Sequence, residues 1–190
     1  MPPSRKTIRS LTPPSGFLYQ KNIVSLDEEA ELVGHVKKLP LKEFEFQGYL
    51  AKRRTTSFGW HYKFVKEALE PASPIPDFLL SLRERAAALA GASPEDLPHV
   101  LITEYSPGTP IGWHRDKAVF EDVIGVSLLS RCLFRLRRKT PDSWERYTQI
   151  LDPRSCYILR AEARTDWEHS IPAVEALRYS ITFRSLRPKR

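Results

Sequence analysis

The chain has 190 residues, enough for one domain with a sizeable core, and two cysteines, too few for a disulfide framework. No apolar run reaches the roughly 18 residues of a membrane span, and Met1-Pro-Pro-Ser-Arg-Lys6 lacks the apolar stretch of a secretory leader, so a cytoplasmic protein without a membrane partner is expected. A formal net charge of +7 points to an anionic partner.

Residues 1–16 are rich in Pro, Ser and Lys/Arg without periodicity, which predicts a flexible basic arm ahead of a folded domain over 17–190. Ser25-Leu-Asp-Glu28 is a capping-box pattern that starts a helix reaching about Lys38, with Ala30, Val33 and Val36 inward and Pro40 past its end. The stretch 42–62 alternates weakly around Gly48 and Gly59, as two strands or a strand and a loop would. Pro71, Pro74 and Pro76 mark a loop. A second helix then runs from Pro76-Asp77 to about Ala90, with Phe78, Leu79, Leu82, Ala86 and Leu89 inward and Gly91 closing it. From 98 onward short β-rich runs follow, at 98–105, 111–116, 123–129, 132–138, 147–151, 155–160, 166–170 and 178–185. The β pattern alone predicts a sandwich or barrel, and about eight short strands fit a two-sheet jelly roll. Helices thus fall in 17–97 and the β core in 98–186. Cys132 and Cys156 lie inside β runs and read as buried thiols, with pairing left open. The cations gather at Lys52-Arg53-Arg54, at Arg131, Arg135, Arg137, Arg138 and Lys139, and at Arg187, Lys189 and Arg190. A solvated face explains any one cluster, and three together favour phosphate contacts.

The chemistry centres on His114-Arg-Asp116. In a strand, His114 and Asp116 point to one face. Two histidines and one carboxylate form the facial ligand set of non-haem Fe(II), which leaves positions open for a cosubstrate and oxygen. The triplet alone arises often by chance. Followed by His169 and then by Arg178 and Arg184, it is far more specific. The competing reading of His169 is a satisfied core histidine. On the last β run, Tyr179, Ile181 and Phe183 would face the core, and Arg178, Ser180, Thr182 and Arg184 the barrel mouth. Two inward arginines need an anion, and a dicarboxylate such as 2-oxoglutarate fits. A basic edge strand is the alternative. Trp113 and Trp167 read as packing residues, His35 as surface and His99 as structural.

The ordered set of His114, Asp116, His169, Arg178 and Arg184, with Thr103-Glu-Tyr105-Ser-Pro-Gly108 upstream, resembles the AlkB family of Fe(II)/2-oxoglutarate dioxygenases, which oxidatively dealkylate nucleic acids. The resemblance covers about 50–186 and is strongest at 103–116 and 167–184. It implies an α+β double-stranded β-helix (jelly roll) with N-terminal helices packed on the major sheet. It implies Fe(II) on His114, Asp116 and His169, and O2 as oxidant. It places the distal carboxylate of 2-oxoglutarate on Arg178 with help from Tyr105, and Arg184 nearer the iron. Thr103 and Ser180 stand where the family usually has Asn. Arg53-Arg-Thr-Thr-Ser-Phe58-Gly59-Trp60 resembles the family's nucleotide-recognition segment, which makes Arg53, Phe58, Gly59 and Trp60 expected contacts of a flipped base, with Phe58 and Trp60 stacking on it. Core packing is the alternative for both aromatics. Where well-known members carry an acid that faces cationic bases, this chain has Ala118. Lys117 and Arg115 lie beside it, and Glu121 reaches in only if the loop bends. Neutral adducts are therefore expected over cationic ones. The expected activity is repair of alkylated DNA by a monomeric enzyme, releasing succinate, CO2 and an aldehyde. An RNA or tRNA demethylase and a protein hydroxylase of the same fold are the alternatives, and a non-catalytic nucleic-acid binder is the reading from another class.

Overall fold

The computed structural model describes residues 7–9, 12–46, 49–63 and 68–188. Most of the first residues of the expected arm, Gly48, and Lys189 and Arg190 of the basic tail lie outside them.

Both expected helices form for the reasons their ends suggest. In α1 (Leu26–Val36) the Glu28 backbone N–H donates to Ser25 Oγ at 3.2 Å, and the Ser25 N–H donates to Glu28 Oε2 at 2.7 Å, closing the capping box. Its inner stripe is Glu29, Leu32, Val33 and Val36, spaced as one helix face, so Ala30 is exposed rather than inward. Glu29 is buried because its carboxylate accepts the Leu129 N–H at 2.8 Å. A 3-10 turn at Asp77–Leu79 leads into α2 (Leu80–Ala90), which ends on Gly91 at φ 65°. Leu79, Leu82, Ala86, Ala87 and Ala90 are buried along it, and Phe78 and Leu89 are half-buried. A short helix, α3 (Ala161–Thr165), was not anticipated. Among the described residues no helix is long and apolar enough to cross a membrane.

The strands are β1 (Thr7–Arg9), β2 (Phe17–Gln20), β3 (Lys42–Phe46), β4 (Tyr49–Phe58), β5 (Trp60–Lys63), β6 (Ala68–Pro71) and β7 (His99–Tyr105). They continue with β8 (Ile111–His114), β9 (Phe120–Leu128), β10 (Cys132–Lys139), β11 (Trp144–Leu151), β12 (Ser155–Leu159), β13 (Glu168–Ile171) and β14 (Arg178–Leu186). A major sheet runs in the order β2-β12-β9-β14-β7-β4-β3 and a minor sheet in the order β1-β11-β10-β13-β8. Strands β5 and β6 form a separate ribbon. Within the expected arm, Thr7–Arg9 pair in parallel with β11.

Alternation splits the major sheet's residues between two cores. Val100, Ile102, Ile124, Val126, Leu128, Ile158, Tyr179, Ile181 and Phe183 pack under α1 and α2. Tyr105, Val123, Tyr157 and Leu159 turn the other way and meet Phe134, Leu136, Leu151 and Ile171 of the minor sheet. This is the expected α+β jelly roll with helices on the major sheet. Cys132 and Cys156 are both buried and free, in different layers.

Candidate active site

The space between the sheets receives polar side chains from both. On the minor sheet His114 of β8 lies directly opposite His169 of β13, so both rings point to the same side. Their ring centroids are 4.2 Å apart. The His114 ring donates from Nδ1–H to the Gly112 carbonyl oxygen at 2.9 Å; a carbonyl only accepts, so Nε2 is left free as a ligand nitrogen. Asp116, just beyond β8, brings Oδ2 to 3.8 Å from His169 Nε2. Arg164 of α3 fixes the turn that follows, donating from Nη2 to the carbonyl oxygens of Lys117 at 2.6 Å and Phe120 at 2.7 Å. Behind His169 stands an aromatic wall, with Phe134 at 5.2 Å from its ring and Tyr157 at 4.6 Å from Phe134. Tyr157 reaches this place across Gly125, where a Cβ would lie 2.3 Å from its ring.

The major sheet supplies the cations. Arg178 is 1% exposed. Its Nε donates to Ser127 Oγ at 3.1 Å, and its guanidinium lies 5.0 Å from the ring centre of Tyr105, its cross-strand partner. Nη1 is buried with no hydrogen-bond partner, and no carboxylate of the described residues pairs with this arginine. Further along β14, Ser180 and Thr182 place their hydroxyls 3.4 Å apart, with Thr103 opposite Ser180. Arg184 donates from Nη2 to Asp116 Oδ1 at 2.8 Å and lies over Phe120. His99 sits opposite Arg184.

These neighbours set the charge states. Burial pushes the Asp116 carboxyl up, but Arg184, His169 and His114 outweigh it and hold the group well below the usual carboxylate range. Burial, and then His114, lower His169 to about 3 against the pull of Asp116. Burial and Arg184 lower His99 to about 2. His169 is therefore a neutral imidazole and Asp116 an ionised carboxylate, the protonation states a divalent metal needs. Among the described residues no set of three or more His, Cys, Asp or Glu side chains is drawn up tightly enough to hold a metal ion as it stands.

A sequence model of the 2OG-Fe(II) oxygenase superfamily matches residues 25–184. The chain belongs to that superfamily. That superfamily typically uses Fe(II), 2-oxoglutarate and O2. The chain is 27% identical over 147 residues to the alkylated DNA repair protein ALKBH8 homolog of Arabidopsis thaliana, across 65% of this chain and 42% of that one. It is 28% identical over 166 residues to the mouse tRNA (carboxymethyluridine(34)-5-O)-methyltransferase ALKBH8, across 83% of this chain and 24% of that one. The chain thus spans less than half the length of either relative. Its fold matches the solved structure of OsALKBH1 with a TM-score of 0.70 at 15% identity, covering 93% of this chain and 98% of that one.

The donor types are those that bind a divalent metal, and a buried guanidinium suits an anion. Two imidazoles and a carboxylate converge, and a buried arginine with an orphaned Nη1 waits for an anion. The nucleotide-recognition residues are less united. Arg53 has the interior-facing parity of Thr55, which lies opposite Thr103; burial lowers its pKa, and Tyr105 opposes that shift. Phe58 lies opposite Val100 and packs against the core under the helices, on the face of the major sheet away from the site. Gly59 is required by the backbone, with φ 76° and a Cβ position 1.9 Å from the Pro98 carbonyl oxygen. Trp60 is half-buried in the β5–β6 ribbon. Glu121 pairs with Arg187, Ala118 is exposed, and the Lys117 ammonium lies over the Tyr62 ring.

Sequence reasoning missed Ser127, Tyr157, Phe134 and Arg164. Gly125 was the one available signal, since a glycine inside a β run marks close approach of another group. Trp167 is buried as expected, whereas Trp113 is half-buried and carries arginines on its ring.

Proposed function

We propose that the chain oxidises a substituent on a nucleic-acid base, with RNA, tRNA in particular, as its substrate class. The observation that carries the reading is Arg178, a buried cation without a carboxylate partner among the described residues, in the interior that also receives two histidines and an aspartate. His114, Asp116 and His169 would hold Fe(II), which with 2-oxoglutarate and O2 supplies the power to hydroxylate a carbon as the cosubstrate becomes succinate and CO2. Arg178 would take the distal carboxylate, kept flat by Tyr105 and oriented by Ser127. Thr103, Ser180 and Thr182 offer hydroxyls along the same face. Arg184 keeps Asp116 ionised and aimed. Phe134 and Tyr157 exclude water beside His169. Hydroxylation of a carbon bonded to a base nitrogen gives a product that breaks down to an aldehyde and the free base.

The choice of RNA over DNA is supported by the mouse relative, named for a tRNA carboxymethyluridine. Charged groups near Asp116 favour a neutral or anionic base in either polymer. A cationic base needs a carboxylate at close range, but Glu121 is held by Arg187 and Ala118 supplies none, whereas Lys117 and Arg53 suit a neutral or anionic base. DNA repair is the second reading, favoured by the name of the Arabidopsis relative. Succinate release on matched RNA and DNA oligonucleotides bearing neutral, anionic or cationic modified bases separates the two. Turnover confined to DNA carrying 1-methyladenine would overturn the proposal.

A further inference from the structure

The outer face of the minor sheet carries a charge pattern that the catalytic interior does not explain. In β10 and β11, Arg137 lies directly opposite Arg146, Arg135 opposite Thr148 and Lys139 opposite Trp144. Opposite residues share a face. The intervening Leu136 lies opposite both His169 and Tyr147 and packs in the interior, so the cations point outward. Helices α1 and α2 cover the other sheet.

This face is organised for charge rather than burial. Arg135, Arg137 and Lys139 recur at every second residue, about 6.7 Å apart along the strand. The Arg137 guanidinium is held between two indoles, 4.3 Å from the ring centre of Trp113 and 4.3 Å from that of Trp144. Arg135 lies over Trp113 at 5.1 Å. Stacking orients Arg135 and Arg137 on the face. Glu168, which accepts from Arg137 Nε at 2.7 Å, is the acid that β13 adds to this face. Like charges directly opposite one another destabilise a sheet. The Arg137–Arg146 pair is such a case. A polyanion laid along the strands relieves that repulsion.

We propose that this face is a second nucleic-acid contact, binding the phosphodiester backbone of a segment distant from the base that enters the interior. It rests on the reading of the substrate as nucleic acid. The row of cations reads phosphates and not base identity, so its contribution grows with substrate length and falls with salt.

The test is fluorescence anisotropy of labelled, unmodified single-stranded RNA and DNA about 20 nucleotides long against the full chain. It compares K139E/R146E with K37E/K38E, an equal change of charge on exposed lysines at the end of α1. K139E/R146E is expected to lower affinity about tenfold or more at low salt. It should also flatten the plot of log affinity against log salt by about 1.4, the share of two phosphate contacts on a single strand. K37E/K38E should change neither. Substrate-independent succinate release should match wild type in all variants, and the exposed K139E alone should give part of the loss if Arg146→Glu weakens the fold. Unchanged binding in K139E/R146E, or an equal loss in both pairs, overturns the surface. A wild-type chain that binds neither polymer overturns the nucleic-acid reading itself, a distinct result.

Discussion

Arg178 and Phe58 show how differently two motif residues fare once placed. Arg178 is buried, and its Nη1 meets no hydrogen-bond partner among the described residues, so it is the residue proposed to take the cosubstrate's carboxylate. A buried charge-assisted hydrogen bond contributes about 1.5–3 kcal/mol. Arg178→Ala should therefore raise the 2-oxoglutarate concentration needed for half-maximal succinate release by about tenfold or more, with the iron requirement unchanged. Equal saturation curves for the two proteins would remove it from the site. Phe58 has the opposite standing. It packs against the core beneath the helices, so Phe58→Ala should lower unfolding stability by about 1–3 kcal/mol, less than a fully buried aromatic, and leave base binding as it was. Chemical denaturation and a binding isotherm on the same variant decide it, and weakened binding with full stability would restore the stacking role.

At the level of elements, the last β strand was legible because alternation of large apolar and polar residues fixes which face each takes. Tyr179, Ile181 and Phe183 go to the helices, and Arg178, Ser180, Thr182 and Arg184 go to the interior. The capping box and Gly91 made both long helices legible for equally local reasons. The face of β4 was not legible. A one-residue slip flips every side chain, and an irregularity between Glu43 and Phe44 where β3 meets β4 has no local signature. The three-residue β1, the five-residue α3 and the β5–β6 ribbon are set by distant partners rather than by propensity. Within β9, Gly125 lets Tyr157 lean toward Phe134 and His169. Gly125→Ala should displace that ring and destabilise the chain by about 1–3 kcal/mol, and Tyr157→Leu in the same chain should recover much of the loss. A melting temperature equal to wild type in Gly125→Ala would show that the ring has room to move.

For the molecule as a whole, the interior histidines tie stability to pH. His99 and His169 are lowered to about 2 and about 3, chiefly by burial, while in the unfolded chain each takes a proton near 6.5, roughly. Their contribution is complete above about pH 6.5 and is lost as pH falls from there toward 3, because only the unfolded chain gains the protons. Asp116, held low by Arg184, adds a further loss once pH drops below about 3.9. The melting temperature of metal-free protein should decline from pH 6.5 to 4, and His99→Gln should flatten that decline. A profile level across this range would mean that both rings are protonated in the native state.

The first strands have a mechanical consequence. Strand β1 lies at the edge of the minor sheet against β11, and β2 lies at the edge of the major sheet against β12. Because β11 and β12 are joined by a tight turn, one stretch of chain seals both sheets along the same seam. Without it, two neighbouring strands would present open backbone ladders to solvent, the arrangement that recruits other chains. A protein lacking residues 1–20 should therefore retain its internal pairing yet self-associate as concentration rises. Light scattering that stays flat over a concentration series would show that the seam is guarded by something else.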